Sequence, residues 1–309
     1  MDLQAIIYVL IDSLAIGLPY SLLALGIFIS YRTLDFADLS AEGSFTLGGA
    51  VAVSTIVMGV NPLFATILSF ISGFLAGMFT GILHTKLKIP KLLSGIITMT
   101  GLYSINMVIM GIAKNSPYSN VIYVEDNKTI FDFLNIFEKN YFNIILVSLI
   151  IVIIVLFIIY WFFGTEIGMS IRATGMNGNM ARAQGINTTV MIISGLAISN
   201  ALIATGGALF SQAELKADIN MGIGALVIGL SSIIIGESVF GKRTFKNWII
   251  SVVLGSIAYY LIIAIAIQLG FPHYLKKLLY AVLITIVLAI PLIKKLKNRT
   301  KGEKENVSN

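Results

Sequence analysis

Three carboxylates, Asp35, Asp38 and Glu42, lie close together near the start of the chain. Asp38 or Ser40 can cap a helix that begins there, and Glu42 in its first turn would interact favourably with the helix dipole. The residues that follow, 43–50, are mostly small, so that another helix can approach closely or the backbone can line a cavity. The segment therefore predicts either capping and helix packing or a polar patch that contacts a substrate.

Residue types that commonly carry catalysis or bind metals are scarce. The absence of cysteine excludes disulfides, thiolate metal sites and cysteine nucleophiles. His84 and His273 are far apart, and no acidic cluster flanks either. The segment 236–244 nearly matches a phosphate-binding loop, but Arg243 stands where Ser or Thr should hold magnesium, and a membrane helix rather than a strand precedes it. We therefore expect no enzyme activity, metal or cofactor in this chain.

The composition indicates which elements must position these residues. Hydrophobic residues make up 57% of the 309 positions and charged residues only 12%, whereas soluble domains carry about 25% charged residues. The excess apolar surface must face lipid, which argues against a soluble enzyme, a nucleic-acid-binding domain or a disordered protein. The net charge of +6 is typical of basic cytoplasmic loops in a membrane protein.

The predicted fold is all-α, a polytopic transmembrane helical bundle of about nine spans, with eight or ten also compatible because the second or seventh segment can be re-entrant. A span needs about 20 mostly apolar residues. The nine segments are Ala5–Tyr31, Gly43–Val60, Leu63–Leu83, Leu92–Ala113, Tyr141–Phe163, Val190–Phe210, Met221–Val239, Trp248–Leu269 and Tyr274–Ile293.

The basic residues predict the orientation. With the N-terminus outside and the C-terminus inside, 15 of the 21 Lys and Arg residues fall on the cytoplasmic side, as the positive-inside rule requires. Residues 1–293 then form a single transmembrane domain, with an extracellular loop at 114–140, a cytoplasmic loop at 164–189 and a basic cytoplasmic tail at 294–309. A short surface helix is expected near Ile130–Glu138.

A weak internal repeat with an offset of 180 positions accompanies this layout. Ala37-Asp38-Leu39-Ser40 resembles Ala217-Asp218-Ile219-Asn220, and the same offset brings the first four spans near spans six to nine. The two sets would cross the membrane in opposite directions, an arrangement found in transporters with the substrate route at the interface. Evenly spaced helices also align at many offsets, so the repeat could be accidental.

Polar residues inside the predicted spans are costly and tend to face the bundle interior or a cavity. Asp12, Ser13, Ser194 and Gln212 are of this kind, and Asp12 is the most demanding to satisfy; Glu237 is expected to be solvated near an interface. Ser and Asn can simply bond across helices. The residues predicted to line a translocation pathway are Ser40, Glu42, Ser44, Thr46, Asn106 and Asn200.

The cytoplasmic loop is only mildly polar, yet it separates two strongly apolar spans. Asn179–Gln184 can form a short amphipathic helix, with Asn177 or Asn179 as N-cap and Gly185 as the residue that ends it. A short helix of this kind suits docking into a groove on a partner. An ordinary connecting loop remains the alternative.

Three stretches resemble the permease subunits of bacterial ABC importers of the branched-chain amino acid and ribose permease family. Residues 35–50 are similar to the early signature of that family in outline. Gly168–Asn187 is similar to its cytoplasmic loop, and Met221–Gly241 to a third motif. The glycine-rich run after the third motif is reduced here, and Ser40 and Glu42 stand in a segment that varies in the family. The first stretch also resembles an amino-acid-type subgroup.

This resemblance implies an obligate complex in the bacterial plasma (inner) membrane. Two permease chains, identical or related, would sit on two cytoplasmic ATPase subunits that bind the ATP, and an extracellular binding protein would deliver the substrate. Amino acids are the first expectation for the substrate, then sugars or nucleosides. An ion-coupled secondary carrier is the alternative outside this family, with Asp12 as its candidate ion-binding group. The resemblance assigns coupling to the ATPases to Glu166, Gly168, Arg172, Ala173, Asn179, Ala181, Arg182 and Gly185.

Overall fold

The computed structural model describes residues 3–124, 128–134 and 140–272, together with positions 275, 278, 279, 281, 282 and 285. The described chain is a helical bundle, as predicted. Its α-helices are α1 (Leu3–Ile27), α2 (Ser40–Val57), α3 (Pro62–Thr85), α4 (Lys91–Ala113), α5 (Asn140–Phe163), α6 (Glu166–Met176), α7 (Gly178–Ala183), α8 (Thr188–Ala213), α9 (Ala225–Val239) and α10 (Phe245–Gln268).

Six helices in the described part of the chain are long and apolar enough to cross a membrane. They cover Val9–Thr33, Pro62–Thr85, Lys91–Ala113, Tyr141–Phe163, Thr188–Ala213 and Phe245–Gln268. The first includes a six-residue π-helix, Phe28–Thr33, that continues α1. These helices correspond to the predicted first, third, fourth, fifth, sixth and eighth spans.

The second and seventh predicted spans are the shorter helices α2 and α9. α2 has 18 residues and α9 has 15, and both begin next to polar loops. The ninth predicted span, the basic tail and most of the region around Glu138 lie wholly or largely outside the described residues. The number of spans, their orientation and the domain boundaries therefore stay predictions.

Two small elements differ from the all-α expectation. Strand β1 (Val121–Tyr123) pairs antiparallel with strand β2 (Lys216–Asp218), so that Ile122 lies opposite Ala217. The β-branched and aromatic residues of β1 favour a strand, and the pairing joins two loops that are far apart in sequence. The surface helix expected near Ile130–Glu138 is a 3₁₀-helix over Ile130–Leu134 within the described residues.

The predicted repeat recurs in the packing of the helices. α1 crosses α8, and Gly26 of α1 lies against Ile203. Adding 180 to the first residue and subtracting 180 from the second gives positions 206 and 23, and Gly206 does lie against Leu23. Along the contact, residue numbers increase on α1 from 23 to 26 while they decrease on α8 from 206 to 203. The two helices therefore run antiparallel.

The outer helices obey the same relation. α10 packs on α1 where Gly17 meets Ile257, and α3 packs on α8 where Gly77 meets Ala197. These two pairs are again 180 positions apart. The contacts among α1, α3, α8 and α10 thus follow the offset of 180 positions, and α1 and α8 run in opposite directions. These contacts support the inverted repeat, which stays a prediction.

Candidate functional site

A cavity of about 360 Å³ lies between α2, α4 and the loop that precedes α9. Because its α4 residues are near the middle of that 23-residue helix, the cavity lies near mid-depth of the bundle. The described residues that line it are Glu42, Gly43, Thr46, Met99, Thr100, Tyr103, Ser104, Asn106, Ile219, Gly222 and Ile223.

Glu42 connects the two halves of the molecule at this cavity. Its Oε1 accepts a hydrogen bond of 3.0 Å from the Gly224 backbone N–H, and Gly224 is the N-cap residue of α9. Gly224 has φ +86°, in the left-handed region that glycine tolerates, and no side chain of its own to cap the helix. A carboxylate from α2 therefore caps α9, where the helix dipole favours negative charge.

Asn106, one of the lining residues, carries a buried acceptor that has no partner among the described residues. Its side chain is only 1% exposed, and its Nδ2 donates to the Gly43 carbonyl oxygen at 3.2 Å. That contact fixes the orientation of the amide, because a reversed amide would place two oxygens against each other. Asn106 Oδ1 has no hydrogen-bond partner among the described residues, which is costly for a buried polar atom.

The rest of the lining is apolar or neutral. Met99 and Tyr103 come from α4, and Ile219 and Ile223 from the loop before α9. Thr46 donates to the Glu42 carbonyl one turn back along α2, so its hydroxyl proton is already in use. None of the described residues that line the cavity is basic. The cavity therefore offers acceptors and apolar surface, with a single carboxylate as its charged group.

A second polar group is buried at the start of α2. Asp38 Oδ1 accepts from the Ser40 backbone N–H at 2.9 Å and from Ser40 Oγ at 2.5 Å, while Asp38 Oδ2 accepts from Asn200 Nδ2 at 2.7 Å. Thr80 Oγ1 lies 3.2 Å from Ser40 Oγ and 2.9 Å from Thr98 Oγ1, which adds α3 and α4 to the network. Asp38 is buried and all its partners are neutral, so these bonds satisfy a carboxyl group inside the bundle.

The structure thus divides the predicted pathway residues into two groups. Glu42, Thr46 and Asn106 line the cavity, whereas Ser40 and Asn200 belong to the buried Asp38 network. Ser44 is buried, and its Oγ has no partner among the described residues. Their roles in transport stay a prediction. Thr80 and Thr98 were not singled out from the sequence, because they matter only through contacts with distant positions. Gly222 and Gly224 belong to the third family-like stretch, but the contact of Gly224 with Glu42 was not predicted.

The N-cap residue of α2 is Leu39, which makes no side-chain cap bond, rather than Asp38 or Ser40 as predicted. Asp38 Oδ1 does accept from the N–H of Ser40, the first residue of the helix. Asp218 Oδ1 makes the same bond to the Asn220 N–H at 2.7 Å, so the repeated tetrapeptide forms the same turn in both halves. Asp35, by contrast, is exposed and faces Lys91, so the three neighbouring carboxylates do not converge.

The cytoplasmic segment forms two short helices, α6 and α7. α7 has Asn177 as its N-cap, since Asn177 Oδ1 accepts from the Met180 N–H at 3.1 Å, and the chain leaves it at Gly185 with φ +84°. Both features match the prediction. Helix α6 was not predicted, because Gly168 and Gly175 interrupt any apolar periodicity in it. Ala181 is buried, whereas Met176 and Met180 are 87% and 61% exposed.

Other residues of this segment anchor it to the bundle. Gly168 packs against the backbone of Phe163, and the Arg172 guanidinium lies 4.6 Å from the ring centroid of Phe245. Arg182 Nε donates to Thr188 Oγ1 at 2.7 Å. The remaining predicted coupling residues, Glu166, Ala173 and Asn179, lie on these two helices. The segment is therefore an ordered surface feature with exposed methionines.

The structure corrects the expectation for Glu237, whereas the role of Asp12 stays a prediction. Glu237 is paired and partly buried rather than freely solvated: its carboxylate accepts from Arg32 at 2.8 Å and from Trp248 Nε1 at 2.9 Å, because α9 packs beside the end of α1 and the start of α10. Asp12 is exposed on α1, so it need not be satisfied inside the bundle. Among the described residues, no group of three or more His, Cys, Asp or Glu side chains could hold a metal ion.

Comparison with known proteins then decides the family. The sequence model of the family described as "Branched-chain amino acid transport system / permease component" matches residues 9–288. The chain belongs to this family of ABC-type permeases. Its long apolar helices agree with a multi-pass protein of the inner membrane. The match covers nearly the whole chain, including both halves of the repeat.

Individual relatives cover most of the permease as well. The tyrosine transport system permease protein of Clostridioides difficile (strain R20291) is 39% identical over 93% of this chain and 91% of its own length. A probable branched-chain amino acid transport permease protein of Methanocaldococcus jannaschii is 27% identical over 87% and 86%. The galactofuranose transporter permease protein of Escherichia coli (strain K12) is 26% identical over 94% and 83%.

Proposed function

We propose that this permease forms the translocation pathway of an amino-acid importer. The observation that carries the proposal is the cavity near mid-depth, where Glu42 and Asn106 present polar groups between two short helices of opposite halves. Polar groups at membrane depth are expensive and mark solute routes. The 39% identical relative is named for tyrosine transport, which favours amino acids over the sugars of the more distant relatives.

The exposed side of α4 supports pairing with a second permease chain. Thr100, Tyr103 and Ser104 line the cavity and are exposed half-way along a helix that is long enough to span the membrane. In a single chain the cavity would open towards lipid, and the carboxylate of Glu42 would lie close to hydrocarbon. A second copy, or a related permease, on this face would enclose the route.

Energy for transport would come from cytoplasmic ATPase subunits that bind the ATP. The exposed Met176 and Met180 on α6 and α7 offer an apolar contact of the kind that a groove on a partner accepts. Gly168, Arg172 and Arg182 fasten these helices to the bundle, so a push on them would reach α8 and α10. The two inverted halves would then rock around the cavity, and an extracellular binding protein would supply the substrate.

The coupling contact is tested with the double variant Met176→Glu/Met180→Glu. Two carboxylates in an apolar contact should weaken it, so we expect less ATPase subunit to co-purify and uptake of labelled L-tyrosine to fall at least about tenfold. The variant Met176→Leu/Met180→Leu keeps the apolar surface and should behave as the natural chain. Undiminished co-purification and uptake in the glutamate variant would show that the ATPase docks elsewhere.

The energy source separates this proposal from an ion-coupled carrier. In proteoliposomes containing the whole complex, uptake of labelled L-tyrosine should require ATP and persist when a protonophore abolishes the proton gradient. Uptake that continues without ATP and stops with the protonophore would reject the ABC importer. Asp12→Asn should leave uptake unchanged, since Asp12 is exposed outside the cavity.

A further inference from the structure

We infer that the cavity binds the positively charged amino group of its substrate. The groups that recognise it are the Glu42 carboxylate and the unpartnered Asn106 Oδ1. The inference rests on the proposed function and deepens it. It assigns a chemical group of the substrate to named atoms, whereas similarity to other permeases assigns none. The substrate class that follows is a compound with a primary ammonium group and an apolar or aromatic body.

The acceptors of the cavity carry the argument. Asn106 Oδ1 is buried and has no hydrogen-bond partner among the described residues, while its Nδ2 is held by the Gly43 carbonyl. A buried acceptor without a partner favours a ligand that donates. Glu42 adds an acceptor that is negatively charged when ionised. Its carboxylate accepts from the Gly224 N–H, has a second backbone contact at Leu226, and still borders the cavity.

The charge balance excludes an anionic group as the main recognition element. No basic side chain is among the described residues that line the cavity, so a carboxylate or phosphate placed beside Glu42 would meet repulsion without compensation. An ammonium group has three donors and no acceptor, which suits a carboxylate and an amide oxygen together. A sugar hydroxyl could donate to either atom but would leave the carboxylate without a counter-charge.

The apolar walls indicate what the rest of the substrate looks like. Tyr103 and Met99 face the cavity from α4, and Ile223 faces it from the loop before α9. Aromatic and thioether side chains pack well against an aromatic ring. A volume of about 360 Å³ lies within the range of small-molecule sites and leaves room for an aromatic amino acid.

The absence of cysteine makes a direct test possible. Ser104→Cys places the only thiol of the chain in the cavity lining, and its reaction with a cationic methanethiosulfonate can be followed in the complete complex in lipid nanodiscs. We expect L-tyrosine and tyramine, which both carry the ammonium group, to slow the reaction. 3-(4-Hydroxyphenyl)propionate, which lacks it, should not. Ser116→Cys, exposed in the loop after α4, is the control whose reaction should not respond.

Variants of the two recognising residues complete the test. Glu42→Gln retains an oxygen for the Gly224 N–H but removes the charge, so protection by L-tyrosine should weaken about tenfold or more. The preference for the cationic over the anionic reagent should also fall. Asn106→Leu removes the amide acceptor at similar volume, together with the donor to the Gly43 carbonyl, and tests the inference independently if Glu42→Gln does not fold. Glu214→Gln removes an exposed carboxylate outside the cavity and should change neither measurement.

The outcomes separate failure of the inference from failure of the proposed function. If the natural complex imports L-tyrosine, the inference is overturned by equal protection from the propionate, by no protection at all, or by unchanged protection in both variants. If the complex imports no amino acid and D-galactose alone protects the thiol, the amino-acid function fails and the inference fails with it. Import together with ammonium-dependent protection that both variants lose supports the two proposals.

Discussion

Asp38 shows how a single buried carboxylate can hold several helices together. Its three donors come from Ser40 and from Asn200 of α8, and Thr80 and Thr98 extend the network to α3 and α4. A charge inside a bundle is tolerable only when its hydrogen bonds are complete. The network therefore fixes the start of α2. Glu42 lies in the first turn of this helix, so the network also fixes its position.

Removing the charge of Asp38 should destabilise the permease. In Asp38→Asn the amide NH₂ would face the NH₂ of Asn200 and leave buried donors unsatisfied, at a cost of about 1–3 kcal/mol. We expect a lower midpoint of thermal unfolding in detergent. The exchange Asp38→Asn/Asn200→Asp restores one acceptor and one donor across the 2.7 Å contact and should recover much of the loss. A single variant as stable as the natural chain would contradict this account.

At this scale the sequence supplied residue types but not their partners. Glu42 and Asn106 were predicted to line a pathway because polar groups are costly in apolar segments, and both do line the cavity. The bond between Glu42 and the Gly224 N–H joins positions 182 apart, and no local pattern encodes such a contact. Glu237 was misjudged for the same reason, since its partner Arg32 comes from the other half.

The glycines of α2 and α8 allow these helices to pack with their backbones in contact. A Cβ on Gly48 would overlap the carbonyl oxygen of Ala204, and a Cβ on Gly207 would overlap that of Phe45. Close approach through small residues is the usual way in which membrane helices associate, because lipid provides no hydrophobic driving force between them. The cavity depends on this contact, since α2 carries Glu42 and Thr46.

Gly48→Ala should therefore separate α2 from α8. Overpacking of this kind costs about 1–3 kcal/mol, so we expect a lower midpoint of thermal unfolding and weaker uptake of labelled L-tyrosine. For the midpoint of thermal unfolding, Gly178→Ala is the control, because a Cβ on Gly178 in α7 would meet open space and alanine favours a helix. Equal effects of the two substitutions would show that the α2–α8 contact does not limit stability.

The predicted helix boundaries were correct where a capping residue marks the end of a helix. They were wrong where no such residue is present. Asn177 and Gly185 delimited α7 correctly, because an N-cap and a left-handed glycine are local signals. The prediction that a helix begins at Met221 was early by four residues. α9 begins at Ala225, since the loop up to Gly224 is shaped by its contact with Glu42.

At the scale of the whole molecule, the proposed pairing with a second permease chain through the exposed α4 face can be tested by cross-linking. Val108 is exposed on α4 one turn beyond Ser104. In membranes, Val108→Cys should form a covalent dimer with a bifunctional maleimide, since the natural chain has no thiol. Ile154→Cys, exposed on α5, should stay monomeric. Cross-linking through α5 but not α4 would place the partner on the opposite face.

The offset of 180 also shows where the two halves differ at the cavity. It relates Glu42 and Thr46 to Gly222 and Leu226, so the second half has neither a carboxylate nor a hydroxyl at these positions. Its backbone instead binds the Glu42 carboxylate, two residues further on at Gly224. Each protomer has one carboxylate, Glu42, among the described residues that line the cavity. A pair of protomers would therefore present two carboxylates to the substrate.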